Sequence, residues 1–250
     1  AERASRAANQ ARLLVSAAMG NPKPGQLIAQ SYSEAPSGRL YSSDTIALQT
    51  VQKEVKRAAL KGSWEYDFEA CHFALLDGMA RAAGIHLPAV QDYLADKKAW
   101  RERIAFQAGV NLADAKVVAT SLIYGAGLQA NPGKALNDRL GSDAVNRLRA
   151  CPEVTALKAD VKAAQKDVVE AHRRPQDGRI VNSAHRLFDE QKTPPQRLQS
   201  AALAHILQGA ESEALRACMS KATGLLLIQH DGFTCSERQD VPALEAAIEA

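Results

Sequence analysis

Two aspartates stand at the ends of the two segments with the strongest strand character. Asp67 follows Ser63–Tyr66, and Asp231 follows Leu225-Leu226-Leu227-Ile228-Gln229 and His230. They are 164 residues apart, so only the fold can bring them together. If the two strands pair, both carboxylates lie at one edge of a small sheet. Mg²⁺, a hard cation, takes one or two carboxylates plus substrate phosphates. Two such ions about 4 Å apart activate an attacking oxygen and stabilise a leaving one. Taken singly, each residue has a plainer role: Asp67 as the cap of a following helix, Asp231 as a turn residue before Gly232.

The elements that must position these carboxylates are few strands and many helices. A first helix is expected to run to about Met19, broken by Asn21-Pro22-Lys23-Pro24-Gly25. Gln26 to Tyr32 reads as a strand, Pro36-Ser37-Gly38 as a turn and Ile46 to Leu60 as a helix, with Leu48, Val51, Val55 and Ala59 near helical spacing. Helices are then expected over Phe68–Ala83, Leu87–Ala95, Lys97–Gly109 and Leu112–Gly127, followed by a helix-rich, charged stretch from Lys134 to Arg174. Pro175-Gln176-Asp177-Gly178 is a turn. Pro195 or Gln196 opens a long helix to about Thr223, which Gly224 stops. The Asp231-Gly232 pair between two apolar runs signals a hairpin, and Val241 to Ala250 closes the pattern as a helix. The fold class is α+β.

Composition adds bounds. The 250 residues are 46% hydrophobic and 24% charged, ordinary for a water-exposed globular fold with a core. A net charge of +3 permits a polyanionic partner without indicating one. Cys71, Cys151, Cys218 and Cys235 form no CxxC pair, which argues against a zinc ribbon or redox motif and for a reduced, cytoplasmic setting. No apolar run approaches the roughly 20 residues that span a bilayer, so no membrane partner is expected. There is no P-loop, HExxH or GxSxG. His86, His172, His185 and His205 lack ligand spacing, and Arg173, Arg174 and Arg179 read either as a solvated face or as a phosphate-contacting loop.

Four stretches, in order, resemble the family A DNA polymerases. Ser37-Gly38-Arg39-Leu40-Tyr41-Ser42-Ser43 with Leu48-Gln49 is similar to the family's TGRLSS…NLQ segment. Tyr66-Asp67-Phe68-Glu69-Ala70-Cys71-His72 is similar to its motif A, with His72 where the family has a Glu that gates against the ribose 2′-OH. Lys116-Val117-Val118-Ala119-Thr120-Ser121-Leu122-Ile123-Tyr124-Gly125 is similar to motif B, the fingers helix, with Thr120 in place of an aromatic and Leu112 in place of an Arg. His205-Ile206-Leu207-Gln208-Gly209-Ala210-Glu211 and then His230-Asp231-Gly232 are similar to the PVQGTAAD helix and motif C, with Gly232 in place of Glu. The string His230-Asp231-Gly232-Phe233 also resembles the HDSF of single-subunit, phage-type RNA polymerases.

The resemblance implies a polymerase palm with a small antiparallel sheet and inserted helical fingers. Residues 1–24 would be the end of a thumb-like helix, 25–89 and 201–250 the palm, and 90–200 the fingers. It implies primer extension by nucleotidyl transfer, with Asp67 and Asp231 holding two Mg²⁺ ions. Lys116, Thr120 and Tyr124 lie at i, i+4 and i+8, one helical stripe. With His72 they would form the nucleoside triphosphate site, Lys116 as a point charge on the phosphates. Arg39, Gln49, Gln208 and His230 would meet the DNA primer–template. The chain reads as a fragment or processed piece of a bacterial, phage or plasmid enzyme, with a thumb supplied by other polypeptide segments. Two further readings stay open: an RNA polymerase or primase-like enzyme, and a degenerate module that binds nucleic acid without chemistry.

Overall fold

The computed structural model describes residues 2–19, 29–44 and 47–249. The chain divides into two compact units, Ala1–Glu69 with Glu211–Ala250, and Ala70–Ala210.

The first unit holds the strands. Helix α1 (Glu2–Met19) meets α2 (Lys53–Ala59), where Arg3 donates to Glu54 at 2.7 Å and the Gln52 N–H to the Gln10 side chain at 3.0 Å. Strands β1 (Tyr32–Glu34) and β2 (Leu40–Ser42) make one antiparallel hairpin. Strands β3 (Trp64–Asp67), β4 (Leu225–Ile228) and β5 (Gly232–Cys235) make an antiparallel sheet in the order β3-β5-β4. β5 is central and wholly buried. Below the sheet, Phe233 and Cys235 pack with Leu215 and Cys218 of α10 (Leu198–Lys221) and Leu244 of α11 (Val241–Glu249). Tyr66 stacks on Phe233 at 5.4 Å between ring centroids. Burying a side chain such as Phe233 contributes about 1.5–3 kcal/mol.

The second unit is helical: α3 (Cys71–Ala82), α4 (Pro88–Ala95), α5 (Lys97–Ala108), α6 (Leu112–Ile123), α7 (Ala135–Leu140), α8 (Ser142–Ala150), α9 (Pro152–Ala171), a 3₁₀ turn at Pro195–Arg197 and the first part of α10. The 20-residue α9 touches α3, α4, α6 and α8. Its apolar stripe Val154, Leu157, Val161, Ala164 and Val168 follows helical spacing and is buried. Asp160 accepts from the Ala89 and Val90 N–H groups at 2.7 and 3.2 Å, satisfying the exposed donors of the first turn of α4. Phe73, Tyr93 and Trp100 form an aromatic run with centroid spacings of 4.6 and 5.2 Å.

Several elements differ from the expectations. The strand expected over Gln26–Tyr32 lies partly outside the described residues; Ala29–Ser31 is irregular, and β1 starts at Tyr32, where pairing with Ser42 begins. Of the helix expected over Ile46–Leu60, Ile46 lies outside the described residues, and the rest is helical over Lys53–Ala59, because the Gln49 side chain engages the backbone of β2 and β4. The helix expected from Phe68 starts at Cys71, because the Phe68 N–H donates to the Asp231 carbonyl at 2.8 Å and Ala70 adopts a left-handed conformation (φ 54°). The helix expected to Gly127 ends at Ile123. Among the described residues no helix is long and apolar enough to cross a membrane, and none of the four cysteines forms a disulfide.

Candidate active site

Asp67 is the last residue of β3, and its Cα partner across the ladder is Gly232, the first residue of β5. Asp231 precedes Gly232 at the tip of the β4–β5 hairpin, and its carbonyl takes the Phe68 N–H. The two aspartates therefore stand at the same end of the sheet, one ladder step apart, and both are exposed. The hairpin closes through the Gln229 N–H to Gly232 carbonyl bond at 2.8 Å, so His230 and Asp231 form the tip. Gly232 does not supply a left-handed turn residue. A Cβ there would run into the Tyr66 carbonyl oxygen, so the glycine permits the close approach of β3 and β5. The Glu of the resembled motif cannot occupy this position without displacing β3.

Around the hairpin, Tyr41 of β2 packs on the His230 ring at 4.4 Å between centroids. Burial, and after it the Arg39 guanidinium, pushes the His230 pKa down from its ordinary 6.5, so the ring is neutral at pH 7. Arg39 does not point its charge at open solvent. Its Nε donates at 2.7 Å to Glu211, whose side chain is 3% exposed, and a second guanidinium nitrogen pairs with the same carboxylate. Gln49 accepts from the Ser42 N–H at 2.8 Å and donates to the Leu40 and Ile228 carbonyls at 3.0 and 3.2 Å, which ties β2 to β4.

Sequence reasoning missed the group beside Asp231. Lys56 of α2 donates to the Gln229 side-chain oxygen at 2.7 Å, and Gln229 donates to Glu65 at 3.0 Å. Burial pushes the Lys56 pKa down, while Glu65 and Asp231 pull it back up. The spacing of Lys53, Lys56 and Arg57 along one helical face, with Lys61 just past its end, was the available signal.

In the helical unit, α6 is capped by Asn111, which accepts from the Asp114 N–H at 2.8 Å. Ala115, Val118, Ala119, Leu122 and Ile123 are buried. The opposite face leaves Lys116 and Thr120 exposed, the Thr120 hydroxyl donating to the Lys116 carbonyl at 2.9 Å. Leu112, where the resembled motif carries a cation, is 50% exposed. Tyr124 follows the last helical turn, and its hydroxyl lies 2.6 Å from Nδ1 of the buried His72 in the first turn of α3. Gly125 then turns at φ 78°, where a Cβ would meet that of Ser200 at 2.6 Å. Gln208 lies half-buried on α10. The fold thus joins Asp67 with Asp231, His72 with Tyr124, and Lys116 with Thr120, and it sets Gln49 and His230 around one hairpin.

No family model and no curated protein matches the chain. Among solved structures, the polymerase domain of Pol1 from M. smegmatis, in complex with DNA primer-template and dNTP, matches 97% of this chain at a TM-score of 0.63 and 16% identity. The chain spans 47% of the length of that matched chain. The fold of this chain is therefore that of a polymerase domain, as its resemblance to family A DNA polymerases implied.

Proposed function

We propose that the protein is a template-directed nucleotidyltransferase that extends a primer 3′-OH. The observation that supports this reading best is the placing of two exposed aspartates, 164 residues apart in sequence, one ladder step apart at the end of a sheet in a polymerase-like fold. In this reading residues 25–89 and 201–250 are the palm, 90–200 the fingers and 1–24 the end of a thumb-like helix.

The two carboxylates fit a hard divalent cation: they are anionic oxygen donors, water-accessible, and leave further coordination positions to substrate phosphates and water. Asp67 and Asp231 would hold Mg²⁺, which when bound lowers the pKa of the attacking hydroxyl and neutralises charge on the phosphates. Lys116, an exposed point charge, would neutralise the triphosphate. The Tyr124–His72 pair would fix the shape of the nucleotide pocket. The Pol1 neighbour is solved with DNA primer-template and dNTP, which supports the same partners here. Neutral His230, Arg39, Gln49 and Gln208 order the protein around the primer–template; Arg39 and Gln49 do so through internal bonds. Other polypeptide segments would supply a thumb.

The test is primer extension on a DNA template with Mg²⁺, with dNTPs compared with rNTPs and Asp231→Asn as control. Extension that the control loses supports the reading, and the preferred sugar separates a DNA polymerase from a phage-type RNA polymerase. Extension retained in Asp231→Asn sinks it.

A second reading is a catalytically degenerate module that binds nucleic acid. It is favoured by Gly232, where no side chain fits in place of an acid, and by the uncharged Leu112. Duplex binding without extension in either Mg²⁺ or Mn²⁺ would select it.

A further inference from the structure

A cavity of about 510 Å³ opens between α2 and the sheet at the Glu65–Thr234 pair, within the first unit. Lys53, Lys56, Arg57 and Lys61 line it, with Glu65, Gln229 and Thr234. Four cations therefore face one carboxylate. Glu65 already accepts from Gln229, and Glu54, the acid of α2, pairs with Arg3 instead of lining the cavity. Among the described residues none of the four cations is in an ion pair. Crowding like charges around a concave surface raises their self-repulsion, and an anion in the cavity relieves it.

A second, independent observation points the same way. Thr234 lies on the central strand and lines the cavity at 2% exposure, and its hydroxyl is buried with no hydrogen-bond partner among the described residues. A buried polar atom without a partner is costly and calls for an acceptor, a donor or a bound species. Lys56 has given up part of its hydration to reach this position, and it donates to Gln229 from the cavity wall. The lining offers cationic donors and a hydroxyl around a space large enough for several oxygen atoms. That chemistry recognises a phosphate oxyanion.

We propose that this cavity binds phosphate groups of the nucleic-acid strand whose end reaches Asp67 and Asp231, making α2 a strand-holding element. The assignment of the phosphate to a strand rests on the nucleotidyltransferase reading; the phosphate chemistry of the cavity does not.

The test compares the intact chain with the triple variant Lys53→Ala, Arg57→Ala, Lys61→Ala, which leaves Lys56 and both aspartates in place. A matched triple, Lys158→Ala, Lys162→Ala, Lys166→Ala on α9, removes the same charge elsewhere. Fluorescence anisotropy of a labelled primer–template is read against salt concentration. Each lost phosphate contact lowers the slope of log K on log salt by about 0.9, so the α2 triple is expected to lower it by about 2 to 3 and the α9 triple by less than about 1. This readout needs no catalysis, so it stands even if no extension is found. A parallel titration with inorganic pyrophosphate, followed by chemical-shift changes at Thr234, separates the sources. Perturbation that the α2 triple abolishes, with an unchanged strand slope, assigns the cavity to free phosphates and overturns the strand assignment. An equal fall of slope in both triples, or no effect of the α2 triple in either assay, overturns the site altogether.

Discussion

The hydroxyl of Tyr124 lies 2.6 Å from Nδ1 of His72, joining the end of α6 to the first turn of α3. The rings meet edge to face at 5.5 Å. The bond fixes both side chains from elements packed into the helical core. Tyr124→Phe removes the hydroxyl and keeps the ring. The expected cost is about 1 kcal/mol, the usual net worth of one hydrogen bond, read as a lower urea midpoint with an unchanged m-value. If His72 shapes the nucleotide pocket, the same change also alters the ratio of dNTP to rNTP incorporation.

Arg39 and Glu211 form a pair that is 14% and 3% exposed. Removing the cation strands a buried carboxylate, which typically costs about 3–5 kcal/mol. Arg39→Ala should therefore lower stability by about 3 kcal/mol, while the double change Arg39→Met, Glu211→Met recovers most of the loss. Thermal unfolding of the parent and the two variants measures it. A single variant as stable as the parent would show that the pair does not organise the turn end of the β1–β2 hairpin.

Gly232 has no room for a side chain against the Tyr66 carbonyl. Even Gly232→Ala must part β3 from β5 where Asp67 sits. A loss of about 1–3 kcal/mol is expected, the range for overpacking. Asp231→Asn, on an exposed hairpin tip, is expected to stay within about 0.5 kcal/mol of the parent. Comparing the two by urea unfolding separates the architecture of the site from its chemistry.

Burial holds the His205 pKa below its ordinary 6.5, with a bond from its ring to the Arg186 carbonyl (2.9 Å) acting weakly the other way. The unfolded chain therefore binds a proton at a higher pH than the folded one. Stability from this residue is complete above pH 6.5 and falls as the pH drops toward the folded value. His205→Gln should make the urea midpoint less sensitive to pH between 7.5 and 5. Parallel pH profiles for the parent and the variant would refute this role.

The sequence made the two strands legible because Leu225–Ile228 is an apolar run leading to a turn, while Trp64 and Tyr66 alternate with polar residues up to Asp67. Asp67 and Asp231 could be picked out for the same reason. The limits of α2 and α3 were not legible. Helical spacing from Ile46 onward looks continuous, but the Gln49 side chain spends its hydrogen bonds on backbone groups of distant strands. Residues 68–70 carry a helical pattern too, yet the Phe68 N–H is claimed by a carbonyl 163 positions away. Glu211, the partner of Arg39, and the Lys56–Gln229–Glu65 group are products of such long-range meetings. Local periodicity holds no trace of them, although the basic face of α2 was visible as a spacing of charges.

The pairing of β3 with β5 also sets an order of events at the ribosome. All of residues 70–210, the helical unit with its own core, is made between the two strands. At about 5–20 residues per second, β3 waits on the order of ten seconds for its partner. Helices rich in local contacts condense quickly, whereas distant strand pairing is slow. The carboxylate pair thus assembles only after the helical unit has been made, and a chain whose synthesis stalls before residue 231 carries that helical body with no paired aspartates.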